Sequence, residues 1–256
     1  MLDAERRQQM VELVEQRSSL TVVELSKHFG VSPATIRRDL SLLSQRGLIE
    51  RAHGGASRRP RTSPQLPEPP VLKRANLQVE EKRRIGAAAA QHVKDDETVI
   101  ISSGTTTAEI IPHLASRSGL TVITNAMNII LLLAPYPQIT VIALGGILRH
   151  SEMTTLGSLA EQALENLRAD KLLMGSRAIH SEYGFSAENL AEAHSDQTLM
   201  KSARQVIVLA DHTKFDKVAM VRVAPIIRID RLITDPAAPE ATLAAIRDQG
   251  VQIEVV

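Results

Sequence analysis

The chain has 256 residues, 43% of them hydrophobic and 23% charged, which suits a soluble globular protein of one large domain, or a small domain joined to a larger one. It has no cysteine, which excludes a disulfide framework, a thiolate zinc site and a thiol nucleophile and is compatible with the cytoplasm. Its net charge is +1, yet residues 1–61 hold eleven Lys/Arg against seven Asp/Glu, and a basic end on an otherwise acidic chain points to a polyanionic partner.

With no Trp, three Phe and two Tyr, the core has to be built from aliphatic side chains. The charged start, Met1 to Arg7, lacks the apolar run of a signal peptide. The longest apolar stretch, Ile129 to Ala134, is far too short to cross a bilayer, so no membrane partner is expected.

The first segment reads as helix, helix, turn, helix, hairpin. Met10, Leu13 and Val14 form a helical stripe within Ala4 to Gln16. Thr21, with Glu24 three residues on, forms a capping box for a second helix that runs through Val22, Leu25 and Phe29 to a stop at Gly30. Ser32 caps a third helix, with Pro33 at its first position. At 100° per residue this helix turns Ile36, Leu40 and Leu43 inward and Ala34, Arg38 and Ser41 outward, flanked by Thr35 and Arg37. An outward face of this kind, after a tight turn from another helix, suits the major groove of double-stranded DNA: Arg reaches guanine edges, Thr and Ser take phosphates or bases, and the cap attracts phosphate. Leu48 to Ala56 then reads as a strand and a Gly54-Gly55 hairpin, a wing from which Arg51, His53 and Arg58 grip the flanking backbone.

Residues 58–71 are rich in Pro and Arg and read as a semi-rigid linker, dividing a DNA-binding domain, 1–57, from a domain at 72–256. The latter opens with a helix around Glu80 to His92. Candidate strands follow at Thr98–Ser102, Leu120–Thr124, Thr140–Leu144, Lys171–Gly175, Gln205–Ala210, Arg231–Thr234 and Val251–Val256. Helical stretches at Ser158–Leu167, Asp196–Ala203 and Pro239–Gln249 alternate with them. Short aliphatic strands alternating with helices predict an open α/β sheet covered on both faces.

Ligands of such sheets collect at the carboxyl ends of strands, where four loops carry suitable groups. Ser103, Gly104, Thr105, Thr106 and Thr107 combine small size, hydroxyls and a helix start, which suits an anion. Thr124-Asn125, Gly145-Gly146 with Arg149, and Asp211 with Lys214 add donors, close backbone approach, positive charge and an acceptor for sugar hydroxyls. Together they favour a phosphorylated sugar or polyol.

The chain resembles the DeoR family of bacterial regulators. The residues that carry the likeness are Glu24-Leu25-Ser26, Phe29-Gly30-Val31-Ser32, Thr35-Ile36-Arg37-Arg38-Asp39-Leu40, Leu43, Gly47-Leu48-Ile49 and Arg51-Ala52-His53-Gly54-Gly55-Ala56. Later family landmarks match Arg74, Lys82, Gly104–Thr107, Thr124-Asn125, Gly145–Arg149 and Asp211–Phe215. The resemblance implies a winged helix-turn-helix plus an α/β sensor similar in fold to ribose-5-phosphate isomerase and the CoA transferases. It also implies a repressor of carbohydrate genes, working as a homodimer or homotetramer. Two departures stand out. Arg177 replaces a small or acidic residue after the fourth strand, either adding an anion contact or closing part of the pocket, and Ser102-Ser103 replaces a more frequent Asp-containing lead.

The competing reading is a sugar-phosphate isomerase with an added DNA-binding domain. Its base would be Glu188, the one plausible carboxylate in the loop after the fourth strand. Eight scattered His offer no metal-ligand spacing, and no cofactor is expected.

Overall fold

In the first unit, Met1–Ser63, local rules and a buried aliphatic cluster act together. The computed structural model describes residues 6–7, 9–11, 13–14, 19–45, 49–52, 54–57 and 69–256. Strand β1 (Ser19–Thr21) leads into helix α1 (Val22–Phe29). The Thr21 hydroxyl accepts the Glu24 amide at 3.2 Å and the Glu24 carboxylate accepts the Thr21 amide at 2.7 Å, the reciprocal cap expected from the spacing. Gly30 closes α1 at φ 65°, a left-handed conformation that costs glycine least. Helix α2 (Pro33–Gln45) follows, then strands β2 (Glu50–Ala52) and β3 (Gly55–Ser57). The three strands pair in the order β1-β3-β2, so the expected hairpin forms and gains β1 as a third strand. A Cβ on Gly55 would come within 2.2 Å of the Leu20 carbonyl, so the close approach of β3 to β1 requires glycine. Met10, Val14, Leu25, Ile36, Leu40 and Ile49 are among the buried residues of this core.

The second unit, Pro64–Val256, contains α3 (Val71–Arg74), α4 (Val79–Gln91), β4 (Thr98–Ile101), α5 (Thr105–Ala108), β5 (Thr121–Thr124), α6 (Met127–Leu133) and β6 (Thr140–Ala143). Next come the hairpin β7 (Ile147–Arg149) and β8 (Thr154–Leu156), then α7 (Ser158–Glu165) and β9 (Ala169–Gly175). The chain continues through β10 (Ala178–His180), β11 (Gly184–Ala187), α8 (Leu190–Lys201), β12 (Ala203–Leu209), β13 (Val221–Ala224), β14 (Arg231–Thr234), α9 (Glu240–Arg247) and β15 (Gln252–Val255). The seven strands expected from the sequence are the seven of one sheet, ordered β15-β14-β12-β9-β4-β5-β6 and parallel throughout.

Alternate residues explain why the central strands are aliphatic on both faces. Val99, Ile101, Leu173, Ile207 and Ile233 pack on one face with Ile85, Ala89 and Ile129 from α4 and α6. Ile100, Leu172, Met174, Val208 and Leu232 pack on the other with Leu164, Leu199 and Ile246 from α7, α8 and α9, so the period-two alternation of a strand buries both faces. The small antiparallel sheet β10-β11-β13 and the hairpin β7–β8 lie outside the expected strands. Helix α8 begins at Leu190, earlier than Asp196, because Asn189 caps it by accepting the Glu192 amide at 3.0 Å. The proline- and arginine-rich segment lies outside the described residues as far as residue 68.

Gly86 on α4 marks a close contact. A Cβ there would meet backbone atoms of Glu109 at 2.6 Å. Gly86→Ala gains about 1 kcal/mol of helix propensity, but overpacking against backbone costs about 1–3 kcal/mol and outweighs it. Urea unfolding should show a lower midpoint for Gly86→Ala and a lower one still for Gly86→Val; a raised midpoint for the alanine variant would refute the contact.

Candidate functional site

In the smaller unit, α2 buries Ile36, Leu40 and Leu43 and leaves Ser32, Ala34, Arg37 and Arg38 exposed, with Thr35 and Ser41 partly so. The Ser32 hydroxyl accepts the Thr35 amide at 3.2 Å and lies 2.9 Å from the Thr35 hydroxyl. This fixes the first turn and leaves the two arginines as the charged part of the outward surface. Arg51 is placed in β2; His53 and Arg58 lie outside the described residues.

Asp39, one residue beyond Arg38, faces inward. It is buried and accepts the Arg6 Nε at 2.8 Å, with Arg7 Nε at 3.3 Å from its other oxygen. Two guanidinium groups on a buried carboxylate compensate its desolvation and tie the helical residues near the N-terminus to α2. No local spacing links residue 6 to residue 39, so sequence reasoning leaves this anchor unassigned.

In the larger unit, β4 leads on to β5 and β6 on one side, whereas β9 leads on to β12, β14 and β15 on the other. The crossover direction therefore reverses between β4 and β9, and the crevice beyond their carboxyl ends is the place where open α/β sheets take ligands. A Cβ on Gly175, at the end of β9, would lie 3.8 Å from the Ser103 carbonyl after β4. Pairing in register puts the loop after β12 beside β9 and the loop after β5 beside β4.

The candidate residues play different parts along this rim. Ser103 and Thr105 are partly exposed, Thr106 and Thr107 buried. Gly104 has φ 154°, and the following α5 is a four-residue turn whose first amides, Thr105 to Thr107, have no acceptor within the helix. The Thr107 hydroxyl donates to the Gly104 carbonyl at 3.1 Å and the Ser103 hydroxyl to the Glu152 carbonyl at 2.9 Å. Thr124 is fully buried; its hydroxyl donates to the Ile101 carbonyl at 2.7 Å and accepts the Ala126 amide at 3.1 Å, bonds that stitch β4 to β5. Asn125 is buried and donates to the Thr155 carbonyl at 3.1 Å and the Ser195 hydroxyl at 3.4 Å, joining the rim to the hairpin and α8. Gly145 has open space around it, whereas a Cβ on Gly146 would sit 2.5 Å from the Leu156 carbonyl, a need of the hairpin. Asp211 caps the turn His212–Lys214 by accepting the Thr213 amide at 3.0 Å, and Lys214 is partly buried in that turn.

Three arginines of this unit face carboxylates, of which sequence reasoning singled out only Glu188, as the base of the competing reading. Arg149 meets Glu192 at 2.7 Å, Arg74 pairs with Glu152, and Arg177 places Nε at 2.8 Å and a terminal nitrogen at 2.6 Å from one oxygen of Glu188. Burial raises the pKa of Glu192; Arg149 and Arg74 oppose that, and Glu152 and Glu188 add to it. One turn on, Asp196 is pushed up to about 7 by burial and by its neighbours Glu192 and Glu152. These groups come from α3, β7, the turn after it and the stretch that ends in α8, so only their convergence reveals the cluster. Among the described residues no group of three or more His, Asp or Glu is placed to hold a metal ion, and no helix is long and apolar enough to cross a membrane.

Residues 6–62 match the family model for the DeoR-like helix-turn-helix domain, and residues 77–236 that for the DeoR C terminal sensor domain. The chain belongs to the DeoR family of transcriptional regulators. As a DeoR-family regulator it joins a DNA-binding domain to a domain that senses a small molecule. It is 34% identical over 99% of its length to a putative aga operon transcriptional repressor of Escherichia coli O157:H7, covering 94% of that protein. It is 31% identical over its full length to the glycerol-3-phosphate regulon repressor of Escherichia coli K12, covering all of it. A D-ribose-5-phosphate isomerase structure overlays on 53% of this DeoR-family chain and 54% of its own, with a TM-score of 0.39 and 19% identity.

The raised Asp196 pKa has a definite consequence for stability. Between about pH 4 and pH 7 the unfolded chain ionises this carboxyl while the folded chain holds it protonated, so its contribution falls as pH rises and the penalty is complete above about pH 7. Asp196→Asn should therefore raise the melting temperature at about pH 8 and change it little near pH 4, with each kcal/mol of relief worth about 2–4 °C. A difference between variant and wild type that stays constant across this range contradicts the burial of the carboxyl.

Proposed function

We propose that this DeoR-family regulator represses carbohydrate-utilisation genes, and that a phosphorylated sugar or sugar-derived metabolite bound in the crevice between β4 and β9 controls its affinity for DNA. Residues 1–57 hold operator DNA, residues 58–71 link, and residues 72–256 sense. On the DNA side Arg37, Arg38, Ala34, Thr35, Ser41 and Ser32 meet the major groove, and Arg51, His53 and Arg58 the flanking backbone. On the effector side the amides of Thr105–Thr107 with Ser103 and Gly104 take the phosphate. Lys214 and Arg149 add charge, and Asn125, Asp211 and Arg177 line the rim with Thr124, Gly145 and Gly146. The protein works in the cytoplasm as a homodimer or homotetramer, because two half-sites match a two-fold assembly.

The observation that carries this reading is the exposed Arg37 and Arg38 on a helix whose opposite face is fully buried, in a chain aligned end to end with a glycerol-3-phosphate regulon repressor. The isomerase alternative draws no comparable support. Its base would be Glu188, and that carboxylate is engaged by Arg177.

Selection of genomic fragments by the purified protein, at stated salt because phosphate contacts make affinity steeply salt-dependent, should yield a preferred sequence. Arg38→Ala should narrow the margin between that sequence and random DNA by about 1–3 kcal/mol. An unchanged margin removes Arg38 from base reading. A thermal-shift screen with glycerol 3-phosphate, fructose 6-phosphate and gluconate 6-phosphate should give at least one compound that raises the melting temperature and releases DNA. No shift from any of them counts against a phosphorylated effector, and turnover of a sugar phosphate revives the enzyme reading.

A further inference from the structure

The turn Ser151-Glu152-Met153, between β7 and β8, is bonded to two parts of the larger unit that matter for control. On one side it holds the beginning of α3. Val71 donates its amide to the Ser151 carbonyl at 2.8 Å, and Arg74 forms an ion pair with the Glu152 carboxylate. Lys82, buried on α4, donates to the Arg74 carbonyl at 2.8 Å, so the two ends of the short helix are pinned. On the other side the turn holds the crevice. Ser103 donates its hydroxyl to the Glu152 carbonyl at 2.9 Å, and Met127, at the start of α6, donates its amide to the Met153 carbonyl at 2.8 Å. Arg149 braces it from β7, with Nε 2.9 Å from the Ser151 hydroxyl and its other arm on Glu192.

Met153 carries a backbone φ of 52°. A left-handed conformation at a residue with a long side chain persists only where its surroundings over-determine it. The bonds just named are those surroundings, so loosening one of them loosens the whole turn. Val71 is the first residue of the first helix after the segment that runs back along the chain to the wing. The same three residues thus contact the anion-loop serine and the start of the sensing unit.

We propose that this turn is the relay between the effector crevice and the DNA-binding unit: a change at Ser103 shifts Ser151–Met153 and, through Val71 and Arg74, the chain that leads to the wing. The proposal rests on the crevice being the effector site. The physical requirement is modest: an effector needs only to bind one arrangement of the turn better than another, and packed, multiply bonded elements switch between discrete arrangements.

Amide hydrogen exchange on the full chain tests the relay without any ligand. Ser103→Ala removes only the strut on the crevice side, yet the Val71 amide, which Ser103 does not touch, should exchange about fivefold faster, as loss of one hydrogen bond allows. The Ser102 amide, bonded to the Leu173 carbonyl inside the sheet, should keep its rate. An unchanged Val71 rate overturns the relay. A second arm uses the selected DNA with the three phosphorylated compounds above. A compound that stabilises wild type should weaken its DNA binding about tenfold or more, in the range of coupled sites, whereas Val71→Pro, which removes the amide bonded to the Ser151 carbonyl and lies outside the crevice, should keep the thermal shift and release DNA less than about threefold. Equal release by both proteins overturns the relay. If no compound shifts wild type, the effector reading fails and the exchange rates alone decide the relay.

Discussion

The central strands of the large sheet are squeezed between two apolar layers, and that constraint shapes the rest of the sensing unit. Val99 and Ile101 lie on one face of β4 and Ile100 on the other, and all three are fully buried. Neither face of such a strand has room for a polar group, because an unpaired polar atom there would forfeit its hydration. Chemistry is pushed to the strand ends, and the reversal of crossover direction between β4 and β9 opens the space in which it gathers. Ser103 and Gly175 approach each other there for a topological reason rather than a local one.

The small unit solves the same problem at a smaller scale. A domain of this size buries little surface, so each inward position of α2 is committed: three aliphatic residues to the core and Asp39 to Arg6 and Arg7. Arg37 and Arg38 remain exposed on the outward side, whereas their neighbour Asp39 faces inward to Arg6 and Arg7.

Around the crevice, positive charge is present but engaged. Arg74, Arg149 and Arg177 each face a glutamate, and burial lifts Glu192 and Asp196 toward their neutral forms. In a partly dry setting the pairs keep the arginines oriented, so an anion of the proposed kind would compete with carboxylates rather than with water alone. Under the proposed function, exchange of partners at such pairs would displace the elements that carry them, the turn at Ser151–Met153 included.

Much of the fold was legible in the sequence. Capping residues and aliphatic runs are local signals, so Thr21, Gly30, Ser32 and the seven strands of the sheet could be placed from neighbours alone. The outward face of α2 followed from helical periodicity, and the loops after the strands from the rule that α/β sheets bind ligands at their carboxyl ends. The hairpin β7–β8 and the sheet β10-β11-β13 carry weaker local patterns, whereas the first turn of α8 rests on the local Asn189 cap, which the periodicity reading passed over. The division of labour within the site was illegible too. That Thr124 stitches two strands, that Gly146 serves a hairpin, and that Asp39, Glu152, Glu188 and Glu192 hold the arginines depends on residues beyond the reach of local periodicity. Which segments become helix and strand, and which loops carry polar groups, follows from periodicity and adjacent residues and can be read along the chain. Which of those groups point at one another, and which are already spent, emerges on folding, because hydrogen bonds and ion pairs are settled by distance in space.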